Sequence, residues 1–131
     1  MTVERDALGL AGFLAAAGAL HFLAPKPYDS IVPRALPGSP RAWTYLSGAA
    51  ELTVAAAVAH PRTRRAGALA AAALFVAVFP ANVKMAVDWR HASPAKRAIA
   101  YGRLPLQFPL FWLAWKVSRD ARRQASLARA R

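Results

Sequence analysis

The sequence predicts an all-α fold: a four-helix transmembrane up-down bundle with a proline-rich extracytoplasmic cap between helices 1 and 2. Four long stretches of the chain are almost free of charge, and most of the lysines and arginines lie between or after them. A helix of about 20 residues spans the roughly 30 Å of hydrocarbon in a bilayer, which suits stretches of this kind. Five of the ten prolines fall within residues 25–40, where they exclude a long helix.

The four apolar stretches contain few polar groups. They cover residues 7–24, 42–60, 66–87 and 104–117. The first contains His21, the second contains Glu51 and the third contains Lys84. The fourth is short, and the long side chains of Lys116 and Arg119 extend it by reaching toward the interface. A soluble helical bundle would instead carry charges at every third or fourth position along the outer face of each helix.

The basic residues orient the predicted bundle. With four spans, both termini and residues 61–65 share one side, and that side carries more Lys and Arg than the other. The positive-inside rule therefore predicts a multi-pass protein of the cell membrane with both termini in the cytoplasm. We divide the chain into a transmembrane domain, residues 1–118, and a basic cytoplasmic tail, residues 119–131. The tail lacks aromatic side chains for base stacking, so it is expected to bind the inner leaflet rather than nucleic acid.

Composition excludes several other classes of protein. A chain of 131 residues that is 56% hydrophobic is one folded domain and not a disordered segment, despite its net charge of +12. The absence of cysteine excludes a disulfide, a thiolate zinc site and an iron–sulfur cluster. His21, His60 and His91 are predicted at separate places in the bundle, so no metal site is expected. No glycine-rich phosphate loop and no nucleophile elbow occurs.

The segment 25–40 is predicted to be an ordered cap across the outer mouth of the bundle. It carries Tyr28, Ile31, Val32 and Leu36, apolar side chains that a free linker would not need. A cap of this kind would cover whatever lies between the outer ends of the helices.

The predicted helices are expected to pack closely. Gly9, Gly12 and Gly18 in helix 1 and Gly48 in helix 2 permit close approach of the backbones. The segment 61–65 is long enough only for a tight turn, so helices 2 and 3 are expected to be antiparallel.

Polar side chains from all four predicted helices fall in the outer half of the bundle, where each is costly in hydrocarbon. With a rise of about 1.5 Å per residue, Glu51 lies near the middle of the membrane and forms the floor of this cluster. Pro80, Pro105 and Pro109 free backbone carbonyls in the same region, which need partners or a lined cavity. Phe79, Phe108, Phe111 and Trp112 are candidates for aromatic walls. The predicted ligand-binding residues are His21, Tyr28, Ser47, Glu51, Asn82, Lys84, Arg103 and Gln107.

Four sequence blocks resemble the DoxX-like family of small membrane proteins. They are His21-Phe22-x-x-Pro25-x-x-Tyr28-Asp29-x-Ile31-Val32-Pro33-x-x-Leu36-Pro37, Ser47-Gly48-x-x-Glu51, Val78-Phe79-Pro80-Ala81-Asn82 and Arg103-Leu104-Pro105-Leu106-Gln107. The blocks follow one another in family order and cover most of residues 12–116. The resemblance implies four transmembrane helices and a link to quinone-coupled or redox-stress membrane complexes. Lys84 stands where the family pattern has an uncharged residue.

Three hypotheses for function follow. In the first, the protein is a non-catalytic membrane subunit or a binder of an apolar ligand, quinone or lipid, with Glu51 paired to Arg103, Lys84 or His21. In the second, it is a small membrane enzyme, an isomerase or a quinone-linked oxidoreductase, in which Glu51 and His21 transfer protons. In the third, the polar groups only hold the helices together. The expected partners are the lipid bilayer, an oxidoreductase subunit and a second copy of the chain, and quinone is the candidate cofactor.

Overall fold

The structure is a computed structural model that describes residues 2–131. Within these residues the chain forms five helices and no strand, so the predicted all-α class is confirmed. Four helices are long, and the fifth is a single short helix inside the proline-rich segment. The helices are α1 (Thr2–Leu23), α2 (Pro25–Asp29), α3 (Pro40–Ala59), α4 (Arg64–Asp88) and α5 (Pro94–Arg129).

The four long helices pack in a ring, with α1 against α3, α3 against α4, α4 against α5 and α5 against α1. The connections at residues 60–63 and 89–93 are short, which makes neighbouring helices antiparallel. The short helix α2 packs on α1 and α3 and covers one end of the ring. We call the half of the bundle beside α2 the cap half, and the half beside residues 60–63 the base half.

Two of the helices, α1 and α4, are long and apolar enough to cross a membrane. The helix α3 mixes serine, threonine and glycine with its alanines, and α5 contains prolines and basic ends, which lowers the mean hydropathy of both. The two apolar helices are consistent with an association with membrane, but they do not by themselves establish four crossings.

The hydrophobic core lies in the base half. Its side chains are small, and many have no exposed surface, so the helices approach closely there. The core residues are Ala7, Leu10, Ala11, Leu14, Ala55, Val58, Ala68, Ala71, Ala72, Phe75, Ala114 and Val117. A second, smaller cluster around Ile31, Met85 and Ala100 anchors the cap segment to α4 and α5.

A buried arginine joins three helices in the base half. The side chain of Arg64 is only 3% exposed. Its Nε donates to the carbonyl of Val58 at 2.9 Å and its Nη2 to that of Ala59 at 2.8 Å, which satisfies the free carbonyls at the end of α3. Its Nη1 donates to Glu4 of α1 at 2.7 Å. The sequence analysis assigned Arg64 only to a basic loop.

The helix α5 is much longer than the apolar stretch that predicted it. Ser93 caps its start by accepting a hydrogen bond from the backbone of Lys96, and Pro94 occupies the first turn, where its missing N–H costs nothing. The helix continues through Pro105 and Pro109 and ends at Arg129. The basic segment predicted as a separate tail is therefore helical as far as Arg129 and continues α5.

Glycine brings α1 and α3 together at one level. A Cβ on Gly48 would lie 2.8 Å from the Cβ of His21 and 3.1 Å from the carbonyl oxygen of Gly18, which is tighter than side chains tolerate. Gly9 and Gly12, which we expected to serve the same purpose, have open space where a Cβ would be. Gly9 and Gly12 face away from the neighbouring helices. Of the four glycines, only Gly18 and Gly48 lie in the close contact between α1 and α3.

Candidate functional site

A cavity of about 290 Å³ lies in the cap half, beneath the cap segment and between α1, α3, α4 and α5. Polar residues from each of these helices, together with a tyrosine from α2, line this first cavity. The polar and aromatic lining residues are His21, Tyr28, Trp43, Thr44, Ser47, Glu51, Asn82 and Arg103. The remaining walls are apolar and come largely from the cap segment and from α4.

The imidazole of His21 and the carboxyl group of Glu51 are in contact inside this cavity. The Nδ1 of His21 lies 3.3 Å from Oε2 of Glu51, and both side chains are almost completely buried. The same Nδ1 makes a 2.7 Å hydrogen bond to the carbonyl of Ala17, one turn back along α1, which fixes the ring. The close approach of α1 and α3 at Gly18 and Gly48 places these two groups side by side.

Tyr28 forms the roof over this pair. Its ring stacks on the imidazole of His21, with the ring centroids 3.8 Å apart and the planes inclined by 19°. Burial raises the pKa of the Tyr28 phenol, although the positive charge of Arg103 opposes this effect. The phenol is therefore protonated at neutral pH and remains available as a hydrogen-bond donor.

The cap is fastened to α3 through Asp29. Its carboxylate accepts a 2.6 Å hydrogen bond from the hydroxyl of Thr44 and a 2.8 Å bond from Nε of Arg41. Partial desolvation raises the pKa of Asp29, but the two hydrogen bonds and the charge of Arg41 outweigh it, so the pKa lies below its usual value. Trp43 adds a further link by donating from Nε1 to the carbonyl of Pro37 at 2.6 Å.

Asn82 and Arg103 join α4 to α5 at the same level. The Nε of Arg103 donates to Oδ1 of Asn82 at 3.1 Å. Because a guanidinium group only donates, this bond fixes the amide so that its NH₂ group points the other way. The residue Asn82 is 1% exposed.

A second cavity of about 290 Å³ adjoins the first. His21, Tyr28, Glu51 and Arg103 line both cavities. Gln107 lines only the second, together with apolar residues of α1, α4 and α5. The two cavities therefore share one polar wall and lie side by side in the cap half.

Three buried polar atoms of this site have no hydrogen-bond partner among the described residues: Oε2 of Glu51, Nδ2 of Asn82 and Oε1 of Gln107. Leaving a buried donor or acceptor without a partner costs about 1–3 kcal/mol, and native proteins contain few such groups. All three atoms belong to residues that line the two cavities. The residues that line the site therefore carry three polar atoms whose hydrogen-bonding capacity is unsatisfied.

Seven of the eight predicted ligand-binding residues line these cavities, and Lys84 does not. Its ammonium group pairs with Asp88 on the next turn of α4 and lies 3.4 Å from the carbonyl of Ser30 in the cap. Position on the helix explains the difference, because Lys84 is two residues beyond Asn82 and so lies on a different face. It steadies the cap rather than the site.

All four aromatic residues considered for the walls lie outside the polar cavities, and three of them line a groove in the same region. Phe108 and Phe111 line an apolar groove on the outside of the bundle between α4 and α5, as does Phe79. Trp112 is 58% exposed and lines none of the cavities described here. None of the four lines the polar cavities, whose apolar walls come from the cap and from other side chains, including Phe13 and Phe75 in the second cavity.

The sequence analysis missed Thr44, Trp43 and Asp29 as parts of the site. Thr44 is 2% exposed and connects the cavity wall to the carboxylate of Asp29. A hydroxyl residue in the first turns of an alanine-rich helix is an ordinary feature of sequence, so nothing marked it. Among residues 2–131, no group of three or more His, Asp or Glu side chains is placed to hold a metal ion.

The chain belongs to a protein family that is described as a domain of unknown function, DUF8561, whose family model matches residues 10–118. The match includes all the cavity-lining residues named above. No curated protein and no solved structure matches the chain.

Proposed function

We propose that this member of the DUF8561 family is a four-helix integral membrane protein that binds an apolar ligand with a polar head group, quinone or lipid, in the cap half of its bundle. In this proposal it acts as a non-catalytic binding protein or as a subunit of a larger, redox-associated membrane complex. The observation that carries the proposal is the set of three unpartnered polar atoms on residues that line two adjoining cavities.

The exposed faces of the helices support the membrane part of the proposal. All four long helices, including α3 and α5, expose large apolar side chains that a soluble bundle would hide or replace with charges. Examples with at least 38% exposure are Leu8, Leu20, Leu46, Leu52, Val76, Val87, Phe108 and Trp112. In lipid these side chains are in their preferred solvent, while the polar groups of the site lie in the interior of the bundle.

The distribution of packing supports the binding part. The base half is filled by the hydrophobic core, whereas the cap half contains the cavities and the polar residues. If the polar groups served only to hold helices together, they would be expected to bond to one another across the interface. Among the described residues that line the cavities, only the side chains of Arg103 and Asn82 hydrogen-bond to each other, and three polar atoms remain without partners.

The resemblance to the DoxX-like family also favours a quinone or lipid ligand and a redox-associated complex. Its four blocks contain His21, Glu51, Asn82 and Gln107, the residues that contribute the cavity walls. The same proposal places α2 outside the cell and both termini in the cytoplasm, in accordance with the positive-inside rule.

A second candidate function is a membrane enzyme, and the contact between His21 and Glu51 favours it. A carboxyl group and an imidazole 3.3 Å apart in a site shielded from solvent can exchange a proton with a bound substrate. An isomerase or a quinone-linked oxidoreductase would use them as acid and base. The two functions predict different behaviour of the same variant.

The test is native mass spectrometry of gently extracted protein, comparing wild type with Glu51→Gln. The matched control is Thr53→Ala, which removes a hydroxyl bonded to Ala49 on the exposed face of the same helix. We expect wild type and the control to carry a bound lipid or quinone that Glu51→Gln retains at least about tenfold less, because the variant replaces one carboxyl oxygen with an NH₂ group that cannot accept a hydrogen bond from the ligand. Equal ligand content in all three proteins, or no ligand in any, would contradict the binding function.

The enzyme alternative predicts that Glu51→Gln keeps its ligand but no longer converts it. A variant that keeps its ligand and its activity, with unchanged thermal stability, would show that Glu51 serves neither function. Loss of the folded state along with the ligand would indicate a structural role for the carboxylate.

A further inference from the structure

The buried polar atoms that lack a hydrogen-bond partner indicate the chemistry of the ligand's head group. Oε2 of Glu51 is an acceptor, whereas Nδ2 of Asn82 is a donor whose direction is fixed by the bond to Arg103. Both residues line the first cavity. A hydroxyl group is the smallest neutral group that donates one hydrogen bond and accepts another, so it complements this pair.

Other common head groups fit less well. A carbonyl group accepts from Asn82 but offers no donor to Oε2 of Glu51. An ammonium group donates to Glu51 but accepts nothing, and it would add a second positive charge beside Arg103.

The route of an attached chain is indicated by a groove on the outside of the bundle. This groove, of about 620 Å³, lies between α4 and α5 and is lined almost entirely by apolar side chains. Phe75 and Gln107 line both the groove and the second cavity, which in turn shares Glu51 with the first. The groove therefore borders the polar site across these two side chains, and it lies on the side of the bundle rather than at the cap.

We propose that the site takes a hydroxyl-bearing, single-chain amphiphile, with its hydroxyl between Glu51 and Asn82 and its hydrocarbon chain in the groove between α4 and α5. This inference rests on the proposed binding function and adds to it the chemistry of the head group and a lateral path from the bilayer. Gln107 lies at the junction, where the polar lining gives way to the phenylalanine side chains of the groove.

The test uses hexadecanol with a photoactivatable diazirine halfway along its chain, added to the full-length protein in phosphatidylcholine nanodiscs. Peptide mapping after irradiation is expected to place cross-links on the groove segments of α4 and α5. Unlabelled hexadecanol should compete about tenfold better than hexadecyl methyl ether, because the ether cannot donate to Glu51. Equal competition by the alcohol and the ether would overturn the assignment of the head group.

The path of the chain is tested by filling the groove. Val76 is 61% exposed and lines the groove, so Val76→Trp adds bulk there without disturbing the core. The control is Val83→Trp on the same helix, since Val83 is exposed but lies outside the groove. We expect labelling of the groove to fall at least about fivefold in Val76→Trp and to be unchanged in Val83→Trp.

A separate variant tests the role of the Asn82 NH₂ group as a hydrogen-bond donor to the ligand. Asn82→Asp keeps the oxygen that accepts from Arg103 but removes the unpartnered NH₂ group. Hexadecanol should then compete several-fold less well in a protein whose thermal unfolding remains cooperative. Competition by hexadecanol that is as strong as in wild type would show that Asn82 does not hold the head group.

Different results would overturn the lateral path of the chain and the binding function itself. Cross-links to residues of the polar cavities that are insensitive to Val76→Trp would overturn the lateral path and leave the binding function intact. Cross-links distributed over all lipid-facing helices, with none enriched at the cavities or the groove, would overturn the binding function for this class of ligand as well.

Discussion

At the scale of single residues, the site depends on one glycine contact. Gly48 allows α3 to approach α1 so closely that His21 and Glu51 meet, and a methyl group at this position would fall 2.8 Å from the Cβ of His21. Two of the three nearest atoms, Cβ of His21 and the carbonyl oxygen of Gly18, cannot move aside without moving the helix, whereas the third, Cε2 of Phe22 at 2.7 Å, is the end of a flexible side chain. The short distance between His21 and Glu51 therefore depends on Gly48, a residue that has no side chain.

We predict that Gly48→Ala destabilises the protein by about 1–3 kcal/mol, because the helices must separate to admit the added methyl group. Thermal unfolding in detergent micelles measures the effect. Gly12→Ala is the control, since a Cβ there meets open space and alanine favours helix over glycine by up to about 1 kcal/mol. Equal stability of the two variants would mean that the α1–α3 contact is looser than described.

A second prediction at this scale concerns the pH dependence of the cap. The folded-state pKa of Asp29 is depressed by its bonds to Thr44 and Arg41. The stabilisation from this carboxylate is therefore present above its unfolded pKa of about 3.9 and is lost as the pH falls through the lower, folded value. Protection of residues 25–39 from hydrogen exchange, referred to the intrinsic exchange rate at each pH, should be constant from pH 7 to about pH 4 and decrease below it.

Asp29→Asn is the control for this prediction. It keeps the shape of the side chain but removes the titrating group, so its protection should be weaker than that of wild type at pH 7 and should lose the decrease on acidification. An identical acid response in wild type and variant would show that another group controls the opening of the cap.

At the scale of helices, the sequence predicted the elements better than their ends. Charge-free stretches identified the four long helices because apolar composition is a property of whole segments. The start of α5 at Pro94, ten residues before the predicted stretch, was missed because its first turns carry Lys96, Arg97 and Arg103, which read as a basic loop. Helices also form outside apolar stretches, where capping by Ser93 and packing on α4 stabilise them.

The sequence predicted which residues of the candidate site lie in the same half of the bundle, but not which of them face its interior. Depth along each helix brought His21, Glu51, Asn82 and Gln107 to the same half of the bundle, and the structure places them around adjoining cavities. The face on which a side chain lies depends on the rotation of each helix, which the sequence alone does not determine. For this reason Lys84 was assigned to the site although it lines neither cavity. Asn82, two residues earlier, points inward, whereas Lys84 does not.

The role of Arg64 gives a prediction at the helix scale. Arg64→Ala leaves two carbonyls at the end of α3 and the carboxylate of Glu4 without their donor, and should cost about 2–4 kcal/mol. Arg64→Lys should recover only part of this loss, because an ammonium group cannot reproduce the planar fork of donors. Chemical unfolding in mixed micelles provides the measurement.

The control for this prediction is the next residue. Arg65 is exposed and carries the same charge, so Arg65→Ala should change the free energy of unfolding by less than about 0.5 kcal/mol. If both alanine variants lose the same stability, net charge and not the buried network is responsible.

At the scale of the whole molecule, the number of membrane crossings can be tested with single cysteines, because the protein has none of its own. We predict that Ala35→Cys and His91→Cys react with a membrane-impermeant maleimide in intact cells, whereas Ser126→Cys reacts only after permeabilisation. All three positions are exposed, and none makes a side-chain contact described above. Four crossings place residues 35 and 91 on the same side.

A protein with only two crossings would give a different pattern of labelling. If only α1 and α4 crossed the bilayer, residue 91 would lie on the side opposite residue 35 and on the same side as residue 126. That pattern of reactivity would disprove the four-crossing bundle, and it would also contradict the packing described here, in which the cap and residues 89–93 lie at the same end of the helices.

The length of α5 determines where the arginines at its end can act. Its 36 residues amount to about 54 Å of straight rod, well beyond the roughly 30 Å of hydrocarbon. Arg129 stands about 18 Å past Val117, which is more than two Debye lengths at physiological ionic strength. An upright rod would thus present Arg119 and Arg122 to lipid phosphates and lift Arg129 into the aqueous phase, out of electrostatic reach of the leaflet.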